Sequence, residues 1–297
     1  MFTYETKSQS GSRLSGTHFE LQEFANVADE KSYQLGFNMT TKRTHLGTLD
    51  QRIRSDPRFY GNVTSIEVAK KFVGEGWREG ANKALGLVAD IYANCKVPEP
   101  KDCRRRQVWA DEGDELDVDK LLGGELETMY RKTKRDGRGT FPHATLIANW
   151  GGDATVSSEQ LFWTGAVAII LTDILENAGY RIEVVGCNVS QHGDDFSATS
   201  VTVKELDEPL RSDVIAGTLC EAGVFRTLGF SAKTHCAVEV GMGFGSTKDF
   251  STVVPNDSST PFSENAIVVP HCRSMEGAVE VIQNVVKLLD EKYGAED

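Results

Sequence analysis

The residues of this chain best suited to chemistry fall in one short stretch, Asn149-Trp150-Gly151-Gly152-Asp153, followed closely by Ser157. Oxygens from an amide, a carboxylate and a hydroxyl are what a hard divalent cation such as Mg2+ or Mn2+ selects. Gly151 and Gly152 permit a tight turn, Asp153 and Ser157 are of the types that cap a helix N-terminus, and Trp150 is of the type that anchors protein contacts. The same six positions therefore admit a cation site, a contact loop for a partner, or a capped turn.

Other constellations carry less chemistry. Gly241-Met242-Gly243-Phe244-Gly245-Ser246-Thr247-Lys248 invites a phosphate-loop reading, but a phosphate loop needs Gly-Lys-Ser/Thr opening a helix, and here Lys248 is followed by Asp249 and a polar segment with Pro255. His235-Cys236 and His271-Cys272 are adjacent pairs, and neighbours on a strand point to opposite faces, so the two members of a pair do not easily converge on one metal or form a nucleophile with its base. Asp194-Asp195 reads as a solvated turn. There is no Gly-x-Ser-x-Gly elbow and no HExxH.

Position is what gives the first stretch its interest. Ala144 to Ala148 is an apolar run, and a long apolar helix is expected from about Ser157, with Gln160 completing a capping box and Gly179 ending it. A second strand follows at Arg181 to Cys187. Strand, loop, helix and strand make one βαβ unit, and in parallel α/β sheets ligands bind outside the carboxyl ends of the strands, where Asn149 to Asp153 would sit.

Around this unit the periodicities predict a third strand over Ser197 to Leu206 and an amphipathic helix from Asp207-Glu208-Pro209 to about Leu228, stopped by Gly229. A short strand at Ala237 to Gly241, a polar loop over Met242 to Asn265 and a buried strand at Ala266 to Pro270 come next. A last helix begins after Ser274, with Ala278, Ile282, Val285 and Leu289 on one stripe. Residues 65–94 are helical, either as one helix or as two broken near Gly76, and residues 1 to about 60 read as loops and short elements. The expected fold is α/β: a three-layer, Rossmann-like sandwich with a mostly parallel sheet over 141–297, a charged strap or linker over 96–140, and a partly helical N-terminal region over 1–95.

A chain of 297 residues supports one sizeable core plus a smaller appendage. With 39% hydrophobic and 26% charged residues the composition is that of a globular protein. No apolar stretch is long enough to span a bilayer, and the polar N-terminus lacks a signal core, so no membrane association and a cytoplasmic location are expected. Six scattered cysteines without a CxxC pair read as thiols. The net charge of −12 opposes nucleic-acid binding by the molecule as a whole. Local basic runs (Arg104 to Arg106; Arg131, Lys132, Lys134, Arg135 and Arg138) bracket the acidic Asp111 to Asp119, and pair with it, face solvent or take an anionic partner.

Two features resemble the von Willebrand factor A (VWA) domain, of the intracellular kind found in cobalt-chelatase subunits and nitric-oxide-reductase activation proteins. One is the strand, loop and helix followed by ILENAGYRIEVVG; the other is the upstream GDELDVDKLLGGELETMYRKTKRDGRG, similar to the acidic-then-basic lead-in of those proteins. The resemblance implies a metal-ion-dependent adhesion site built on Asp-x-Ser-x-Ser with a later Thr and Asp. This chain departs from it: the motif positions are Asn149, Gly151 and Asp153 in one register and Ala148, Trp150 and Gly152 in the other, and His271-Cys272-Arg273 stands where the late Asp is expected.

A degenerate adhesion site without a cofactor is thus expected, with Asn149, Asp153 and Ser157 as the residual oxygens should Mg2+ or Mn2+ bind. The expected function is a non-enzymatic protein-interaction or assembly module, and the resemblance implies an AAA+ ATPase, or copies of the chain itself, as partner. Asn149, Trp150, Gly151, Gly152, Asp153 and Ser157 are the candidate contacts. The alternatives are an enzyme acting on a nucleotide or phosphoester, through Asn149 and Asp153 or the loop around Gly243, and a structural component of a viral or mobile-element assembly.

Overall fold

In the computed structural model the chain opens on two antiparallel strands, β1 (Phe2–Lys7) and β2 (Arg13–Glu20), joined by a turn in which Gly11 takes φ 84°. The structure describes residues 1–27, 49–87, 106–110, 115–116, 118–123, 129–133, 143–153, 155–235, 246–254 and 266–293. Short helices follow: α1 (Leu21–Asn26), α2 (Leu49–Ser55), α3 (Pro57–Tyr60), α4 (Ile66–Gly74) and α5 (Arg78–Leu85). Over the described residues 65–87 the chain forms two helices, because Gly76 at φ 91° breaks the run between α4 and α5; residues 88–94 of the expected helix lie outside the described residues. Within 96–140, β3 (Arg106–Ala110), β4 (Glu115–Leu116) and β5 (Met129–Thr133) form a separate antiparallel sheet, with α6 (Val118–Leu122) between the last two.

The βαβ unit has the expected elements: β6 (His143–Asn149), α7 (Ser158–Asn177) and β7 (Arg181–His192), with β6 and β7 parallel. Ser157 caps α7 through its hydroxyl, which accepts from Gln160 N at 3.2 Å, and Gln160 Oε1 accepts from Ser157 N at 3.0 Å. At the other end Gly179 takes φ 88°, its N–H donates to Glu176 O, and Tyr180 N–H donates to Leu175 O. Paired bonds of this kind satisfy the last helical carbonyls. β7 then runs beyond the predicted Cys187 and turns back into β8 (Asp195–Lys204) through Gly193-Asp194, with Gly193 at φ 62°. A two-residue loop with left-handed glycine joins antiparallel strands. Asp194 is exposed at its tip, as expected of a solvated turn.

After β8 come α8 (Ser212–Ile215), a π-helical turn over Ala216–Cys220, α9 (Ala222–Val224), a second π-helical turn over Phe225–Gly229 and α10 (Phe230–Lys233). Gly229 does not stop this segment. It is helical at φ −62°, and a Cβ there would lie 2.9 Å from the Phe225 ring and 3.2 Å from that of Trp150, so it serves close packing. Within the segment expected as a polar loop, β9 (Ser246–Lys248) pairs with the far end of β7 and α11 (Phe250–Val253) follows. β10 (Ala266–Val269) and α12 (Met275–Tyr293) close the fold, and Ala278, Ile282 and Val285 are buried as their stripe predicts. The expected strand at 237–241 lies outside the described residues.

Among the described residues the main sheet has seven strands, ordered β1-β2-β8-β7-β6-β10 with β9 beside β7. It is mixed, not mostly parallel: β10–β6, β6–β7 and β2–β8 are parallel, while β1–β2, β7–β8 and β7–β9 are antiparallel. The connection between β7 and β8 is too short for the crossover a parallel pair requires, which forces the hairpin. β1 and β2 belong to this sheet, and Phe19, Phe24, Ile53, Tyr60, Ala69 and Val73 share one core cluster with Phe162, Ile169, Leu171 and Ile282. The described residues of 1–27 and 49–87 therefore share the sheet and core of the C-terminal part. A smaller cluster, with Ile147, Val185, Cys187, Val189, Phe250 and Val253, covers the opposite sheet face. Among the described residues no helix is long and apolar enough to cross a membrane.

Candidate functional site

At the carboxyl end of β6 the chain turns its polar residue inward. Asn149 is fully buried; its Nδ2 donates to Val269 O at 3.0 Å and to Asp249 Oδ1 at 3.2 Å, and its Oδ1 accepts from Phe250 N at 2.7 Å. One amide thus ties β6 to β10 and to the start of α11. Trp150 is only 2% exposed, its ring edge-on to Phe24 at 5.3 Å and to Phe225 at 5.1 Å, and its carbonyl accepts from Asn188 Nδ2 at 2.8 Å. Neither residue presents a side chain to a partner. Gly151 lies at φ 95°, and a Cβ there would come within 2.2 Å of the Phe225 ring.

The outer half of the loop is different. Asp153 is exposed, and its Oδ1 accepts from Thr247 N at 3.3 Å, linking the loop to β9. Ser157 is exposed but holds the α7 cap. Gly152 is buried against Arg273 Nη1, Leu161 and Val156, each 3.1 Å from where a Cβ would lie. The structure thus gathers Gly152 and Asp153 with the segment after β10 and leaves Asn149 and Trp150 beneath them.

That segment, whose His271-Cys272 pair sequence reasoning sets aside as a metal or nucleophile site, supplies further groups. Cys272 turns into the core, with its backbone N–H donating to Thr164 Oγ1 at 3.0 Å and its thiol pushed up to about 11 by burial. His271 points the other way, toward the loop, so the pair splits between two faces as neighbours on extended chain do. Burial and the Arg273 charge lower the His271 ring below its ordinary value, while Asp249, Asp153 and a hydrogen bond with the Gly151 backbone oppose the shift. Arg273 is lowered by burial, against the pull of Asp153. His271 Nε2 and Arg273 Nη1 are both shielded from solvent without a hydrogen-bond partner. The available signal was positional: His271-Cys272-Arg273 follows the apolar AIVV of β10 after the single residue Pro270.

The residues do not fit a Mg2+ or Mn2+ site. Both polar atoms of Asn149 are committed to the backbone and to Asp249, Ser157 is spent on its helix, and the Arg273 cation lies in the field of Asp153. Among the described residues no group of three or more His, Cys, Asp and Glu side chains could hold a metal ion. Of the other sequence candidates, Lys248 lies in β9, the ring of His235 packs edge-on against Phe19, and Gly241 to Gly245 and Cys236 lie outside the described residues.

Fold and site together define an α/β protein with a mixed seven-stranded sheet and a polar cluster at the carboxyl ends of β6 and β10. The chain belongs to the family described as a domain of unknown function (DUF7192), whose sequence model matches residues 13–292. No curated protein and no solved structure matches it.

Proposed function

We propose that this chain is a non-catalytic protein-interaction or assembly module, built on a VWA-like, layered α/β core, that receives its partner on the loops at the carboxyl ends of β6 and β10. The observation that carries the reading is the division of the loop into a braced floor and an open rim. Asn149 and Trp150 fix the backbone from below, while Asp153, Thr155 and Ser157 are exposed above it and His271 and Arg273 are part-exposed beside it. Rigid elements that present polar groups at strand ends suit recognition. Support for the VWA-like core comes from the β6–loop–α7–β7 unit with β10 parallel to β6.

The chemistry favours binding over turnover. The Cys272 thiol is held protonated, which makes it a poor nucleophile, and the amide best placed to position a substrate is wholly used inside the fold. Among partner classes the VWA resemblance points to an AAA+ ATPase or to further copies of this chain. The test is affinity capture with the wild-type chain and with Asp153→Arg and Arg273→Glu, alongside assays for phosphoester and nucleotide hydrolysis. A protein recovered by wild type and lost from both variants is the expected result; turnover that disappears with Asp153 would overturn the non-catalytic reading.

A further inference from the structure

We propose that His271 and Arg273 together receive one carboxylate from the protein partner, with an oxygen on each of His271 Nε2 and Arg273 Nη1. This rests on the interaction-module reading and names the chemistry the partner must bring. A shielded polar atom without a partner is costly and calls for an explanation. Here there are two, on residues two positions apart, at the end of the sheet where α/β proteins bind ligands. Both side chains are part-exposed, so a group arriving at the loop surface reaches them by a side-chain rotation.

The hydrogen bond to the Gly151 backbone favours the charged ring, so His271 donates there and Nε2 is the position left open. In the free protein, burial and Arg273 favour the neutral ring, whose Nε2 is a bare lone pair. A carboxylate arriving on Arg273 adds negative charge beside that nitrogen. The ring then takes a proton from solvent, and both nitrogens face the two oxygens as donors. Among the described residues the charged and titratable groups around the ring are Arg273, Asp153 and Asp249, with the protonated Cys272 thiol turned away. Asp153 and Asp249 limit the negative charge the site accepts, which favours a singly charged carboxylate over phosphate. The guanidinium can lie across the loop because residue 152 has no Cβ.

The test follows the His271 ring nitrogens by NMR in the full-length, histidine-labelled protein, titrated over a range of pH with acetate, acetamide or inorganic phosphate. Acetate is expected to raise the pH at which His271 protonates. Its binding should tighten about tenfold per pH unit as pH falls through that window, as uptake of one proton requires. Acetamide should have no such effect, phosphate should bind more weakly, and Arg273→Gln should abolish the acetate response. Should Arg273→Gln fail to fold, Arg273→Lys keeps the charge but not the fork, and a several-fold weaker acetate response is expected. A His271 ring indifferent to acetate, an equal response to acetamide, or tighter binding of phosphate would each overturn the carboxylate assignment. None of these would affect partner capture by the charge-reversed loops, so the two readings fail separately.

Discussion

Asn149 and Asp249, 100 residues apart in sequence, are joined by a hydrogen bond from Nδ2 to Oδ1 at 3.2 Å. The same aspartate accepts from Ser251 N and Ser251 Oγ and so caps α11, while Asn149 Oδ1 takes the next backbone N–H, that of Phe250. An amide is the side chain that can donate to a carboxylate and accept from a backbone N–H at once.

Replacing Asn149 by Asp removes the donor and faces two carboxylates toward each other and toward Val269 O. A loss of roughly 3 to 5 kcal/mol is expected, larger than the roughly 1 to 3 kcal/mol for Asn149→Ala. Denaturant unfolding of the two variants checks the order.

Gly151 and Gly152 differ sharply despite being neighbours. Gly151→Ala meets both a left-handed backbone and the Phe225 ring, and a loss of roughly 2 to 4 kcal/mol is expected. Gly152→Ala asks its neighbours to give by a few tenths of an ångström, costs about 1 kcal/mol or less, and displaces the Arg273 guanidinium. Thermal unfolding separates the two, and an acetate titration of Gly152→Ala shows whether Arg273 has moved.

The βαβ unit was legible in the sequence because its signals are local. The capping box at Ser157 and Gln160 and the glycine stop at Gly179 each act within one turn of helix. β1 and β2 were not legible: FTYETK and RLSGTHFE are short and polar-rich, and they join the sheet because β2 pairs with β8, far along the chain, and β1 pairs with β2. Propensity carries no record of such a partner. Trp150 shows the same limit at the site. Its residue type and loop position fitted an exposed anchor, but Phe24 from the N-terminal region and Phe225 from the second π-helical turn close over it. In the sequence His271 counts only as half of a set-aside metal or nucleophile pair, and His271-Cys272-Arg273 as the replacement for a late Asp, because nothing local distinguishes a polar pair left open from one satisfied elsewhere.

The N-terminal helices are tied to the core through Glu221, which is 2% exposed and accepts from Asn62 N, Asn62 Nδ2 and Gly223 N. Arg226 completes the tie by donating to the carbonyls of Phe59 and Val156, its guanidinium 4.0 Å from the Phe59 ring centre. Glu221→Ala leaves three donors without their acceptor, and a loss of roughly 2 to 4 kcal/mol is expected, with Glu221→Gln milder. Hydrogen exchange should show residues 56–63 opening first; uniform exchange across the chain would contradict the tie.

His18 sits between Ser200 Oγ at 2.9 Å and Thr202 Oγ1 at 3.0 Å, and burial lowers its protonation below the ordinary histidine value. The unfolded chain then binds the proton more readily than the folded one, so stability falls as pH drops below about 6.5 toward the folded value. His192 and His271 are lowered in the same direction. In His18→Gln the fall in melting temperature between neutral and mildly acidic pH should shrink; an unchanged profile would remove His18 as a contributor.

Calorimetry of the captured partner against wild type and against the double variant Asp153→Arg, Arg273→Glu tests the central claim most directly. A loss of affinity of about tenfold or more, corresponding to 1.4 kcal/mol or more, with cooperative unfolding retained is the predicted result. Equal affinity in the two proteins would show that the partner does not bind at the carboxyl ends of β6 and β10.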